Sequence, residues 1–290
     1  MSPSSPEARR ARPLLGTLVE VRIDARDVDE GADGVDIEAA LAAAFAAVAQ
    51  VQALMSFHDP DSELSRLNRL GHRLPVSLHP WTADVLRRAQ ALHRATGGLF
   101  DPAVAPALAA LDFLPAPLAA APRGGSIADL VVGDGVACGV RPLWLDLGGI
   151  AKGYAVDRAV DALRTRGVRA GAVNAGGDLR LFGATPQPVV VRDPVDPGRH
   201  WSLGEFRDIA IATSAGYYTA RSTADGLVMP IIDPRDNRAV VVGPSVTVLA
   251  NDCATADALT KAVMLSGTPS PVWLQDFGAQ AVRLEGRVAA

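Results

Sequence analysis

A glycine pair and a lysine lie at the start of a predicted helix in the stretch WLDLGGIAKGYAVDRAVDALRTRG. The apolar run 143–147 predicts a buried strand, and residues 151–166 have the amphipathic spacing of a helix. Glycines allow a backbone to approach a ligand closely, and the amides and dipole of a helix N-terminus attract anions. Gly148, Gly149 and Lys152 could therefore bind a phosphate. The alternative is a tight turn beside an exposed lysine, and this stretch alone does not decide between the two.

A second stretch, ATADALTKA, places two oxygen-bearing side chains on one face of a predicted helix. Asp257 and Thr260 are three residues apart, which brings their oxygens to the same side. Hard oxygen ligands of this kind suit magnesium. The alternative is that Asp257 caps the helix, and its spacing from Lys261 also suits an ion pair on the helix surface.

Turns rich in glycine and proline carry the remaining polar candidates. NAGGDL holds Asn174 and Asp178 around two glycines, which predicts either a turn that contacts a ligand or a plain tight hairpin. Asp101 precedes a proline in a segment that we expect to be extended. Ser62 can cap a short helix, and together with Asn68 it could instead bind a ligand.

The elements around these candidates predict an α/β or mixed α+β fold, because strands alternate with a few long helices. Apolar residues at helical spacing predict helices within 35–57, 79–98, 151–166 and 253–267. Alternating segments such as GTLVEVRID predict strands, and two short strands are expected between Leu130 and Asp146. The segment 102–122 is rich in alanine and proline, and we expect it to be irregular.

The composition is that of an ordinary globular protein, with 49% hydrophobic and 21% charged residues among 290. A net charge of −4 gives no reason to expect a nucleic-acid partner. Two cysteines, Cys138 and Cys253, are too few for a disulfide framework or a four-ligand zinc site, so free thiols are expected. The five histidines are scattered, which argues against a histidine metal cluster.

The N-terminal segment MSPSSPEARRARPLL is polar, with an arginine cluster and no signal-peptide core. We expect residues 1–12 to be disordered and residues 13–290 to form a single domain, as one unit or as two lobes. No stretch approaches the roughly 20 apolar residues that span a bilayer. The chain as given is therefore expected to be cytoplasmic, although removal of an export signal is compatible with this N-terminus.

Eight short motifs, taken together and in order, resemble one family. The chain is similar to the flavin transferases of the ApbE type, the FAD:protein FMN transferases, formerly called thiamine biosynthesis lipoproteins. The motifs are LGT, MSFHDPDSELSRLN, TGGLFDPAVAP, LDLGGIAKGYAVD, NAGGDL, ATSAGYYT, IIDPR and ATADALTKA. The resemblance implies a mixed fold around an FAD cleft. It also implies magnesium-dependent cleavage of FAD and attachment of FMN, as a phosphoester, to a threonine of a target flavoprotein.

The resemblance also implies site residues. The metal would be held by the Gly149 carbonyl, Asp257 and Thr260, and phosphoryl transfer would use that charge together with a lysine. His58 lies where relatives often have an aromatic that stacks on the ligand. The residues implied to line the FAD are Leu15, His58, Leu99, Phe100, Asp101, Asp146, Lys152 and Ile232.

Two positions depart from the family pattern. Pro230 replaces the histidine that commonly precedes Ile-Ile-Asp-Pro, and proline cannot act as a general base. Lys261 replaces a threonine that many relatives use as a metal ligand, which predicts weaker metal binding. The catalytic residue is therefore unassigned, with Asp178, Asp233 and Asp257 as available carboxylates. Two alternatives follow: an FAD-binding protein that has lost transfer activity, or an FAD pyrophosphatase that releases FMN and AMP. The acceptor protein and the oligomeric state are unknown.

Overall fold

The computed structural model describes residues 7–24, 35–115, 122, 124–196, 198–216, 220–223 and 226–285. Its α-helices are α1 Ile37–Met55, α2 Glu63–Leu70, α3 Pro80–Ala95, α4 Ala105–Ala110, α5 Ala151–Thr165 and α6 Cys253–Leu265. Its strands are β1 Glu7–Leu14, β2 Thr17–Asp24, β3 Val76–Ser77, β4 Leu130–Val132, β5 Val136–Gly139, β6 Gly171–Ala175, β7 Asp178–Phe182, β8 Gln187–Arg192, β9 His200–Phe206, β10 Ile209–Ser214, β11 Arg221–Thr223, β12 Gly226–Asp233, β13 Arg238–Val241, β14 Ser245–Ala250 and β15 Gln280–Leu284.

The largest sheet of the described residues has seven strands in the order β1-β2-β6-β7-β10-β14-β15. Every neighbouring pair in it is antiparallel. The expectation of a mixed helix-and-sheet fold is confirmed, and the antiparallel pairing selects its α+β form. NAGGDL forms the two-residue turn between β6 and β7, with positive φ at Gly176 and Gly177. This is the hairpin that the glycines allow.

Helices α5 and α6 pack side by side on one face of this sheet, and α1 packs against α5 from outside. The strand and helix side chains between these layers form the main apolar core. The β8–β9 hairpin covers the opposite face, where a second apolar cluster is centred on Leu181, Val189 and Ile211. A site at the ends of α5 and α6 can therefore be reached from the edge of the sheet.

Helix α1 is the one described helix that is long and apolar enough to cross a membrane, with 19 residues and a mean hydropathy of 1.6. The sequence expectation that no stretch approaches this length was therefore wrong. Its buried side chains, among them Leu41, Phe45 and Val48, pack into the main core. A core helix of a globular protein has the same composition, and its alanines favour a helix in either setting.

The apolar run 143–147 is buried but is not a strand, which corrects the first expectation. The side chain of Asn68 makes the backbone hydrogen bonds there that a neighbouring strand would otherwise make. The Leu145 N–H donates to Asn68 Oδ1, and Asn68 Nδ2 donates to the Leu145 carbonyl, each at 2.9 Å. Asn68 therefore holds the chain ahead of the glycine pair and is occupied by backbone. Ser62 likewise caps α2 by accepting the Ser65 N–H.

Two further boundaries differ from expectation. The segment 102–122 was expected to be irregular, but it begins with a 3₁₀ turn, Pro102–Val104, and α4. Prolines are tolerated in the first helical turn, where their missing N–H is not needed, and alanines then continue the helix.

The expected disordered segment 1–12 is too long, because β1 begins at Glu7 and pairs with β2 along its whole length. Its arginines make ion pairs with Glu20 and Glu38, and Arg12 stacks on Phe45. Residues 1–6 lie outside the described residues.

Candidate functional site

The site is built where α5 and α6 touch. A Cβ added to Gly153, in the first turn of α5, would lie 2.2 Å from the Cys253 carbonyl oxygen at the start of α6. Only a glycine allows the two helix backbones to come this close. The contact aligns Lys152 on α5 with Asp257 on α6.

The Asp257 carboxylate is fully buried and has three partners. It accepts a hydrogen bond from the Gly153 N–H at 3.2 Å, and it is 3.3 Å from Lys152 Nζ. It also contacts the ammonium of Lys261, one helical turn further along α6. Burial opposes ionisation of this carboxyl, but the two lysines outweigh it, and the pKa of Asp257 is lowered. Asp257 is therefore a carboxylate at neutral pH.

Lys152 forms a second ion pair, 2.8 Å from Asp178 Oδ2 at the start of β7. Burial opposes the charged form of Lys152, but Asp178 and Asp257 raise its pKa. Burial and the charge of Asp257 raise the pKa of Asp178, which moves this carboxyl toward neutrality. The β6–β7 hairpin thus brings a fourth charged group, Asp178, to the N-terminus of α5.

A cleft of about 1030 Å³ opens over this cluster. Its volume is at the upper end of the range for small-molecule sites, which suits a large ligand. Of the residues that the sequence implied, the cleft is lined by Leu15, Leu99, Phe100, Asp101, Asp146, Gly149, Lys152 and Ile232. His58, Asp257 and Thr260 do not line it.

Leu15 lies in a strained turn at one rim of the cleft. The two-residue connection between β1 and β2 has φ 55° at Leu15 and φ 69° at Gly16. A positive φ costs a leucine about 1–2 kcal/mol relative to a glycine. The Leu15 N–H donates to Gln52 Oε1 at 2.6 Å, which fixes the turn to α1. A strained apolar residue that lines a cleft is more consistent with ligand contact than with turn formation alone.

Asp146 and the glycine pair form the floor of the cleft next to Lys152. The Gly148 N–H donates to Asp146 Oδ1 at 3.1 Å, within the turn that leads into α5. Burial raises the pKa of Asp146, whereas this hydrogen bond and the nearby His58 lower it in part. His58 is exposed and does not line the cleft.

Phe100 and Asp101 have structural contacts as well as a place in the cleft wall. Asp101 Oδ1 accepts hydrogen bonds from the N–H groups of Ala103 and Ile127, at 2.9 and 3.0 Å. The Phe100 ring is buried and would lie 3.4 Å from a Cβ on Gly149. Asp101 therefore caps the 3₁₀ turn that begins at Pro102, and it also lines the cleft.

The residues expected to bind a divalent metal do not form an open cation site. The Thr260 hydroxyl donates to the Asp257 carbonyl at 2.7 Å and also bonds the hydroxyl of Ser214 at 2.7 Å. The Lys261 stem passes Gly149, 3.7 Å from the position of an added Cβ. The described residues contain no group of three His, Cys, Asp or Glu side chains that could hold a metal. This donor set does not fit magnesium, since a lysine lies where the ion would bind.

Pro230 lines the cleft from β12. The register of β12 with β13 shifts between Val228 and Ile232, which accommodates a proline inside a strand. Nearby Asp233 is paired with Arg235, and this partner lowers the pKa of Asp233. Among the three carboxylates considered for proton transfer, Asp178 is the one whose pKa is raised.

Sequence reasoning missed the contribution of the β8–β9 hairpin, whose Val189–Arg192 segment and His200 line the cleft. The apolar run in PVVVR suits a strand but does not indicate its position over the site. Gln52 and Gly153 were also missed, because their roles depend on contacts between distant segments. Within ATSAGYYT, Thr213 and Ser214 line the cleft as expected, and residues 217–219 lie outside the described residues.

A large cleft with two ammonium groups near the N-terminus of α5 is the kind of site that suits an anionic ligand. Comparison with known proteins gives the family: a model of the ApbE family matches residues 15–282. A relative from Vibrio cholerae named FAD:protein FMN transferase is 34% identical over 238 residues, which covers 75% of this chain and 70% of the relative. The chain belongs to the ApbE family.

Solved structures agree with this assignment. The flavin transferase ApbE from Vibrio cholerae superposes with a TM-score of 0.81 at 26% identity, covering 97% of this chain and 94% of that one. The ApbE protein from Thermotoga maritima gives a TM-score of 0.80 at 26% identity, covering 97% and 96%. The similarity therefore extends over the whole fold, including the strands and helices that build the cleft.

Proposed function

We propose that this protein is an FAD:protein FMN transferase, which cleaves FAD and attaches FMN to a threonine hydroxyl of an acceptor protein. The observation that carries the proposal is the pair of ammonium groups, Lys152 and Lys261, at the floor of a cleft large enough for a dinucleotide. The names of its relatives support the same activity. Magnesium is not part of the proposal, because Lys261 lies among the residues expected to hold it.

The arrangement suits transfer at the pyrophosphate. The acceptor oxygen forms a bond to the phosphorus on the riboflavin side, the bond to the bridging oxygen breaks, and AMP leaves. The hydroxyl proton passes to a base. Lys152 and Lys261 stabilise the negative charge that shifts onto the phosphate oxygens and the leaving AMP. Leu15, Phe100 and Ile232 provide apolar walls for the flavin and adenine rings.

The decisive experiment incubates the protein with FAD and a flavin-acceptor domain, with and without magnesium. Chromatography measures AMP, and intact-mass analysis measures the acceptor. The proposal predicts one AMP for each acceptor that gains FMN. An acceptor whose target threonine is replaced by alanine is the matched control, and it should stay unmodified. AMP formation at the same rate without any acceptor would instead identify a pyrophosphatase.

Pro230 specifically favours a second candidate, a protein that binds FAD without cleaving it. The cleft wall at this position has no titratable group, whereas the family pattern has a histidine there. This candidate predicts bound FAD, no AMP and an unmodified acceptor. If it is correct, Pro230→His is the substitution most suited to restoring AMP release, because it places an imidazole in the wall without touching the lysine cluster.

A further inference from the structure

Lysine use in this chain is confined to the site. The sequence has two lysines, Lys152 and Lys261, and 26 arginines. Both lysines line the cleft, and both contact the carboxylate of Asp257. An ammonium is a compact point charge with three donors, whereas a guanidinium is a wide planar fork. A chain that uses arginine at all its other basic positions and lysine at these two indicates a need for an ammonium there.

The Lys261 ammonium lies between α6 and the glycine turn before α5, where a metal ion was expected. Its Nζ donates to the Asp257 carbonyl at 2.8 Å and also contacts Asp257 Oδ1. Its stem passes beside Gly149. The side chain thus passes Gly149 and ends on Asp257, the two residues between which a metal was expected.

The Lys261 ammonium keeps a donor for a ligand. It uses two N–H groups on the carbonyl and carboxylate of Asp257, and an ammonium has three. Lys152 Nζ lies near three carboxylate oxygens, both of Asp257 at 3.3 and 3.4 Å and Asp178 Oδ2 at 2.8 Å, so a ligand oxygen would replace one of these contacts. Because both side chains line the cleft, a pyrophosphate can contact both lysines.

The charged groups at the floor of the cleft support the same role. The ammonium groups of Lys152 and Lys261 meet the carboxylates of Asp178 and Asp257 there. Lys261 adds a second ammonium to this cluster, so a pyrophosphate in the cleft meets two cations rather than one.

We propose that the Lys261 ammonium is a built-in cation of this site and allows the protein to bind the pyrophosphate of FAD without a divalent metal. The proposal rests on FAD being the ligand, as in the proposed function. It concerns binding, so it applies whether or not the bound FAD is cleaved.

The first test needs no variant. Calorimetry measures the affinity of the wild-type protein for FAD in excess EDTA and in millimolar magnesium chloride. The proposal predicts the same affinity in both. Binding that appears only with magnesium would overturn the role of Lys261 and leave the proposed function intact. Failure to bind FAD in either condition would refute the proposed function and this inference together.

The second test uses Lys261→Thr, with Arg238→Thr as a matched control. Lys261→Thr should lose about tenfold in FAD affinity in EDTA, since it removes a close charge partner of the ligand. Magnesium should raise the affinity of this variant because Asp257 regains an open oxygen. Arg238 is exposed on β13 outside the cleft, so its loss removes an equal charge with no effect on affinity. Unchanged affinity of Lys261→Thr in EDTA would contradict the proposal, provided circular dichroism shows a folded variant.

Amine acetylation gives a readout that is independent of any variant. With two lysines in the chain, mass spectrometry can follow the modification of each one separately. The proposal predicts that FAD in EDTA protects Lys261 as well as Lys152 from acetic anhydride. Protection of Lys152 alone would show that the ligand does not contact Lys261.

Discussion

Two buried aspartates join α5 and α6 in opposite directions, and they differ in what surrounds them. Asp157 on α5 accepts the N–H groups of Cys253 and Ala254 at the start of α6, both at 2.9 Å. Asp257 on α6 accepts the N–H of Gly153 on α5. Beyond these backbone bonds, Asp157 pairs with one arginine, Arg180, at 3.1 Å, whereas Asp257 faces two lysines.

The difference in partners gives the two carboxyls opposite pKa shifts. Burial raises the pKa of Asp157 to about 6, although the two backbone bonds oppose it. The two lysines lower the pKa of Asp257 despite complete burial. Asp157 is thus a rigid link between helices, and Asp257 holds charge at a ligand cleft. Residue type and burial alone do not separate these two carboxylates; the number and position of their cationic partners do.

Gly153→Ala should cause the largest loss in the free energy of unfolding, because it disturbs the hydrogen bonds of both Asp157 and Asp257 across the two helices. The added methyl group would lie 2.2 Å from the Cys253 carbonyl, so α5 and α6 must separate. Overpacking of this kind costs about 3 kcal/mol in the free energy of unfolding. Urea unfolding measures it, and Gly243→Ala is the control, because a Cβ there meets no atom within 4 Å. Equal effects of the two substitutions would show that the helix contact is not tight.

Asp157→Asn should destabilise the fold more than Asp257→Asn. An amide offers one oxygen to the two N–H groups that Asp157 accepts, so one buried donor loses its partner at about 2 kcal/mol. Around Asp257 the lysine ends can turn toward the cleft and be solvated, which reduces the cost. Urea unfolding of the two variants at pH 7 tests this order. A larger loss for Asp257→Asn would mean that the lysine cluster, rather than the Asp157 link, holds the helices together.

Lys152→Met and Arg180→Met remove the cations of the two regions and should separate binding from stability. Loss of Lys152 should weaken FAD binding about tenfold or more, because a donor and a charge leave the cleft. Arg180 lies outside the cleft lining, so Arg180→Met should lower the free energy of unfolding and leave FAD affinity unchanged. Calorimetry gives the FAD affinity of each variant, and urea unfolding gives the free energy of unfolding of each. Weaker FAD binding in Arg180→Met would show that the regions are coupled.

Much of this architecture follows from the sequence, and the exceptions have physical causes. Apolar periodicity predicted α1, α3, α5 and α6, because each buries one face over several turns. The run 143–147 was mistaken for a strand because burial and apolar composition are the same whether a neighbouring strand or Asn68 bonds the backbone.

For the site, the family resemblance implied eight of the residues that line the cleft, among them Leu15, Phe100 and Lys152. The spacing predicted the ion pair of Asp257 with Lys261, but not the burial of this pair or the passage of the lysine stem beside Gly149. A pair four apart on a helix predicts only a surface ion pair, and the burial of this one depends on how α6 packs against α5.

The smallest expected effect is a difference between wild type and Asp157→Asn in how the free energy of unfolding depends on pH. The pKa of Asp157 is about 6 in the fold, and about 4 is usual for an unfolded chain, so between these values the native state binds more protons. The free energy of unfolding therefore falls, through this group, as pH rises from about 4 to about 6. The lowered pKa of Asp257 has the opposite effect, because it stabilises the fold when the carboxyl is ionised. This stabilisation is lost only as pH falls below about 4.

Asp157→Asn removes the first contribution and leaves the second. Its free energy of unfolding, measured in urea at intervals between pH 4 and 6, should therefore rise more steeply with pH, or fall less, than that of wild type. Asp257→Asn is the matched control, and its slope in this range should equal that of wild type. Parallel curves for wild type and Asp157→Asn would show that the two helix N–H groups and Arg180 outweigh burial, and that both aspartates are equally ionised in the fold.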